Sequence, residues 1–245
     1  MRDCLLDIMK NTCAIEQINL LKITGTKTST TVEAIAENNS VILQAKLKNP
    51  MPEFADMVIG LPNISKLRSI LGVQEYKENG TITLTTKTTD TGIFVPDGLQ
   101  FNNERGDFTN TYRFMGSTVV AEKSKSVAFN TPPKWVIDFE PTNASIIRFK
   151  TQAFIHKEEI NFKVGLVGSD LTISFGDHSN HAGKFVIQQN VKGILPPKCL
   201  WPVSAVLEIL ALSGSKRISI SSGSLLKITV DTDLCTYNYL LPAQG

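Results

Sequence analysis

The sequence predicts an α+β fold of two similar domains, each with two short helices packed on antiparallel sheets. Three observations predict it. Helix-grade segments begin near residues 2, 62, 142 and 202, at intervals of about 60, 80 and 60 residues, and so regular a period marks a duplicated architecture. Between them lie long stretches in which apolar and polar residues alternate, as strands with one wet face require. In the widest interval, residues 121–134 break every periodicity, and Pro132 and Pro133 favour an extended run there. The boundaries read as a first domain over 1–120, an interdomain connector over 121–134 and a second domain over 135–245. A chain of 245 residues suffices for two domains of about 120, each with its own core.

In the first half, Leu5, Leu6 and Met9 share one stripe of a helix that opens at Arg2, with Asp3 and Lys10 off it. Ile18 and Leu20, then Val32, Ala34 and Ala36, then Val41, Leu43, Ala45 and Leu47 follow at period two. Thr24-Gly25-Thr26 and Glu37-Asn38-Asn39 read as turns. Pro62 is expected in the first turn of the second helix, whose stripe is Ile64, Leu67, Ile70 and Leu71 and which Gly72 ends. Tyr76, Ile82 and Leu84 flank Asn79-Gly80, a hairpin signal. Ile93/Val95 and Tyr112/Phe114 continue the sheet around an exposed loop at 102–107.

The second half repeats the scheme. Asn143 is expected to cap a helix running to about Ile155, with Ile146, Ile147, Phe149, Ala153 and Phe154 facing inward. Ile160, Phe162, Val164 and Leu166 alternate, as do Leu171, Ile173 and Phe175, and Phe185 with Ile187 supplies another strand. Pro202 opens the fourth helix, with Val203, Val206, Leu207 and Leu210 as its stripe. Ile218/Ile220, Leu226/Ile228/Val230 and Tyr237/Tyr239/Leu241 complete the sheet.

Composition narrows the function classes. Hydrophobic residues at 42% and charged residues at 20% describe a globular domain. No apolar run reaches the roughly 20 residues of a membrane span and no signal peptide is legible, so a cytoplasmic protein is expected, in the host cytoplasm if the source is viral. The formal charge of +2 is too small to announce a nucleic-acid binder in bulk, so any such role needs basic residues gathered on one face. Cys4, Cys13, Cys199 and Cys235 form no C-x-x-C pair and read as reduced, buried residues.

No catalytic constellation, cofactor site or metal site is expected. Asp177-His178-Ser179-Asn180-His181 could hold a metal by composition but reads better as an exposed turn. The run 212–217 lacks the first glycine of a phosphate loop. His156 has no inferable nucleophile partner, and Glu158-Glu159 would point to opposite faces of a strand. Geometry rather than chemistry therefore carries the function.

Two halves of helix-then-strands units, an extended connector and the ending Tyr237-Asn238-Tyr239-Leu240-Leu241-Pro242-Ala243 together resemble the DNA sliding clamp family of polymerase processivity factors. The terminal run is similar to the end of proliferating cell nuclear antigen. Size and terse loops are closer to the clamps of T-even-type bacteriophages. The resemblance implies a DNA-clamp fold, no enzymatic activity and a homotrimeric ring around duplex DNA. A clamp loader opens such a ring, and the ring tethers a DNA polymerase and other partners. Lys10, Lys66, Arg68, Arg148 and Lys150, with Lys157, Lys198, Lys216 and Arg217 near helix ends, would then attract phosphates without reading bases. No aromatics interleave with them, which disfavours a single-strand groove.

In the family, partners insert a hydrophobic peptide between the connector and the C-terminal strand; Val127 and Phe129 match the first wall, and Tyr239, Leu240, Leu241 and Pro242 the second. Tyr239 and Leu241 fit the inner face of the last strand equally well. Ring closure would join the edge strands around Tyr112 and Phe114, and around Phe185 and Ile187, head to tail. Two features depart from the pattern: the fourth helix carries Glu208 and no cation, and the first carries Asp3 and Asp7. The competing reading is a β-rich viral structural or assembly protein with no DNA role, which would scatter its cations over the outer sheet.

Overall fold

A computed structural model describes residues 1–16, 18–89, 92–123, 131–176, 181–197 and 199–244. They form two compact units. The first is built from Met1–Glu37, from Leu43 through the third helix and from Asp233–Thr236; the second from Asn38–Ile42, from residue 131 through Thr232 and from Tyr237 onward.

Unit 1 begins with α1 (Arg2–Thr12) and continues through β1 (Leu20–Gly25), β2 (Thr30–Ile35), β3 (Ile42–Leu47) and β4 (Met57–Pro62), then α2 (Ile64–Gly72). A meander of β5 (Thr81–Thr88), β6 (Phe94–Asn102) and β7 (Thr109–Arg113) follows, then α3 (Ser117–Lys123). Strands β4, β1, β2 and β3 lie side by side in that order, and β5, β6 and β7 form a separate three-stranded sheet. Leu5, Ile8 and Met9 of α1 and Leu67, Ile70 and Leu71 of α2 are buried, the 3.6-residue stripe that two packed helices require. Arg2 ties the helices together: its guanidinium donates to Tyr76 O and, at 2.8 Å, to Leu71 O, placing a cation at the C-terminal end of α2.

Unit 2 runs β8 (Trp135–Phe139), α4 (Asn143–Ile155), β9 (Asn161–Val167), β10 (Asp170–Phe175), β11 (Gly183–Gln188), β12 (Leu200–Pro202), α5 (Val203–Ala211), β13 (Ser215–Ser221), β14 (Leu225–Asp231) and β15 (Cys235–Pro242). Its sheets have the orders β15-β14-β13-β8 and β11-β10-β9-β12. Side chains from both, including Ile187, Ile218, Ile220 and Ile228, meet Phe149 of α4 and Val206 and Leu210 of α5 around an apolar void of about 30 Å³. Trp201 fills the neighbouring core, fully buried, and its indole N–H donates to Leu241 O at 3.0 Å.

The expected α+β architecture of short helices on antiparallel sheets is the one observed, with several local corrections. Pro62 and Pro202 do not open helices. They end strands β4 and β12, opposite Leu20 and Asn161, and α2 and α5 start just beyond them. A proline without an N–H closes a ladder as readily as it starts a helix. Ile18, just ahead of β1, is buried as expected, but within β1 the buried side chains are Leu21 and Ile23, and Leu20 is only half-buried, so there the inward set is one position off. Tyr76 sits in a 3₁₀ turn rather than a strand, and Asn79, left-handed at φ 54°, leads from that turn to β5. Helix α3 occupies 121–123, the start of the expected aperiodic stretch.

Thr142, not Asn143, caps α4, its hydroxyl oxygen accepting from Ser145 N at 3.1 Å. Thr142→Ala is expected to cost about 1 kcal/mol in unit 2, read as a lowered urea midpoint at unchanged m-value.

Candidate nucleic-acid interface and partner surfaces

In unit 1 the burial of Ile64, Leu67, Ile70 and Leu71 turns Ser65, Lys66, Arg68 and Ser69 outward on α2. Lys10 is exposed on α1, and it lines one open groove of about 370 Å³ with Arg68, Asp3, Asp7, Leu6, Met9 and Leu234. Two cations and two carboxylates thus share this surface, so its field is mixed. Cys13 lies near Arg68; burial raises its thiol pKa and the guanidinium opposes the rise.

In unit 2, Arg148 and Lys150 are exposed on α4 and Lys157 just beyond it. Lys216 closes the C-terminus of α5, its ammonium donating to Leu212 O at 2.6 Å and Gly214 O at 3.0 Å. Burial first, and then repulsion from Lys150, lowers its pKa, which places the two ammonium groups in one another's field. Outward on α5 are Ser204 and Ala211, with Leu207 and Glu208 half-buried, and no cation.

Arg217 stands apart from this set. It alternates with the inward Ile218 and Ile220 on β13, so it lies on the sheet face opposite the core, with Nε 2.9 Å from Asp138 Oδ2 and a second nitrogen 3.9 Å from Glu140. On that face Lys227 also lies 4.3 Å from the Trp135 ring centre. Lys198 lies outside the described residues.

Helix α4 departs most from its expected orientation. Phe149 and Ala153 are buried, but with Ser145 rather than Ile147 and Phe154, which are 62% and 81% exposed; Ile155 is also exposed. The cause is close approach to β11. Ser145 Oγ donates to Ile187 O at 2.8 Å, and a Cβ on Gly183 would lie 2.1 Å from Gln152 Oε1 and 2.4 Å from His156 Nε2. Small side chains face the strand, and the larger apolar ones are left outside. The signal in the sequence was an excess of apolar residues around the whole helix circumference.

The C-terminal wall of the expected peptide cleft is not open. Tyr239 and Leu241 face the core with Tyr237, Leu240 is buried as well, and only Pro242 is partly exposed. Val127 and Phe129 lie outside the described residues. Strands β7 and β11 are both end strands of their sheets. Their named side chains point largely inward. Tyr112 is buried and donates to Pro62 O, and burial raises its pKa. Phe114 meets Phe54 edge-to-face at 6.3 Å, Phe185 is half-buried and Ile187 buried. What those edges offer is backbone.

Of the 177–181 run only His181 is described. Among the described residues no three His, Cys, Asp or Glu side chains converge on a metal-sized site. His156 is buried and stacked on Phe175 at 6.0 Å, the environment of a core residue.

No protein-family model and no curated protein matches the sequence. Solved structures do match in fold. PCNA from Thermococcus kodakaraensis superposes with a TM-score of 0.69 at 11% identity, over 100% of this chain and 97% of that one. PCNA of A. fulgidus, solved with the C-terminal region of FEN-1 bound, gives 0.68 at 9% identity, over 100% and 96%. Proliferating Cellular Nuclear Antigen from Entamoeba histolytica gives 0.64 at 10% identity, over 100% and 96%. At such identities the likeness speaks to architecture, and along its whole length this chain has the clamp fold of proliferating cell nuclear antigen.

Proposed function

We propose that the chain is a sliding clamp, a non-enzymatic processivity factor that closes as a homotrimeric ring around duplex DNA and tethers a replicative polymerase. The observation that carries this reading is the likeness in fold over the full chain. Exposed cations on α1, α2 and α4 support it: Lys10, Lys66, Arg68, Arg148 and Lys150, with the exposed Lys157 and the half-buried Lys216 at helix ends. Phosphate attraction of this kind is sequence-independent and leaves a ring free to slide. Backbone edges at β7 and β11 are suited to head-to-tail closure, in which each copy covers an edge of the next. A clamp loader would open the ring. Partners related in role to the FEN-1 segment seen on the A. fulgidus protein would dock a hydrophobic peptide beside Pro242, between the C-terminal strand and the connector that carries Val127 and Phe129. Kinship in style with phage clamps of the T-even type, and so a viral setting, belongs to the same proposal.

The test joins molar mass with topology. Light scattering is expected to give about three times the 26.9 kDa chain mass. Protein loaded onto nicked circular DNA is expected to stay bound through a salt wash and to leave once the circle is cut. A monomer that washes equally from circular and linear DNA would favour the assembly-protein reading instead.

A further inference from the structure

The duplicated halves do not match strand for strand. The order α5, β13, β14, β15 in unit 2 repeats α2, β5, β6, β7 of unit 1. Cross-strand pairs correspond too: Ile218 with Ile228 and Ile220 with Leu226 in one, Ile82 with Phe101 and Leu84 with Leu99 in the other. Unit 2 then adds a strand. β8 lies antiparallel along the outer side of β13, with Phe139 opposite Ile218 and Ile137 opposite Ile220. In unit 1 no strand among the described residues pairs with the outer side of β5.

The difference is felt by the side chains beneath. Ile218 and Ile220 are 6% and 1% exposed, whereas Ile82 and Leu84 remain only half-buried. Polar groups differ likewise: Ser219 donates to Asp138 of β8 at 2.7 Å, while on β5 the Thr85 hydroxyl is buried without a partner. The residues between the apolar pair correspond as well: Thr83 lies between Ile82 and Leu84 and is exposed, as Ser219 lies between Ile218 and Ile220.

We propose that the open edge of β5 docks an extended, antiparallel segment of a partner protein bearing two apolar residues separated by an acidic one, the chemistry of Ile137-Asp138-Phe139. Main-chain hydrogen bonds would supply the affinity, and the alternating side chains the selectivity. The apolar pair would cover Ile82 and Leu84 as β8 covers Ile218 and Ile220, and the acidic residue would accept from the Thr83 hydroxyl as Asp138 accepts from Ser219. Docking is confined to Thr81–Thr85, the stretch of β5 that keeps one register with β6, because beyond it the register shifts past Asp97 of β6. Five residues is also the length of β8.

The probe is a heptapeptide with the sequence of residues 134–140, added to the isotope-labelled full chain and followed by amide hydrogen exchange. Alternate amides of Thr81–Thr85 are expected to exchange about tenfold or more slowly, and a peptide with the isoleucine and phenylalanine replaced by serine is expected to leave them unchanged. Unchanged exchange at Thr81–Thr85 would overturn the proposal, as would equal protection by both peptides. So would protection confined to β13, or protection that grows with protein concentration alone, which would mean that two copies pair edge to edge. The readout is independent of whether the chain encircles DNA.

Discussion

Trp201→Ala is expected to remove about 3–5 kcal/mol from unit 2, a large share of the roughly 5–15 kcal/mol that holds a domain folded. The indole is the largest wholly buried side chain of the protein and packs near Phe162, with ring centres 6.3 Å apart. Its loss leaves a cavity in a core that already holds a void of about 30 Å³. Truncation also strands Leu241 O, which accepts the indole hydrogen bond, and an unsatisfied buried carbonyl adds about 1–3 kcal/mol. Of the two tryptophans, Trp135 remains to report unfolding by fluorescence. A variant with an unchanged urea midpoint would refute this account of the core.

Neutralising the helix cations is the second large effect. With Lys10, Lys66, Arg68 and Lys150 all replaced by alanine, the slope of log affinity against log salt is expected to flatten by roughly 0.9 for each phosphate that is no longer neutralised, about 3–4 in all. Fluorescence anisotropy on a duplex across a salt series measures it. Arg217→Ala is the control for each single step: it removes one positive charge from the sheet face where Asp138 and Glu140 hold it, and its slope is expected to match that of the parent. Flattening by about 0.9 in Arg217→Ala, as much per charge as in the quadruple variant, would mean that attraction follows net charge rather than the helical surface. The carboxylates of Asp3 and Asp7 beside Lys10 and Arg68 predict the converse: Asp7→Asn strengthens binding at low salt.

The period of the helices made the duplication legible, because short amphipathic segments with one stripe each can be counted without tertiary information. Strands β2 and β3 were equally plain, with Val32, Ala34, Leu43 and Ala45 strictly alternating. Legibility ended where two neighbouring positions were both apolar. Leu20-Leu21 allows either register, and only pairing with β2 and β4 selects the one that buries Leu21. Pro62 and Pro202 carry the same local information at the end of a strand as at the start of a helix. The face of α4 was unreadable for another reason: apolar residues surround it, and a glycine about 30 residues downstream, Gly183, decides which side comes close to the sheet. Cations were found by residue type, but Arg217 shows that proximity to a helix end in sequence does not put a charge on the helical surface.

The position of β8 has a consequence for how the protein is made. It leaves the ribosome about 80 residues ahead of β13, the strand it must pair with, and at about 5–20 residues per second that is a delay of roughly 4–16 s. Throughout that time Trp135-Val136-Ile137-Asp138-Phe139, β-prone and largely apolar, has no ladder of its own. The hairpins of β9 to β11 can form meanwhile from local pairing, whereas β8 waits for a long-range closure. A chaperone that shields nascent β-strands would therefore find a client segment here, at a strand translated well ahead of its partner.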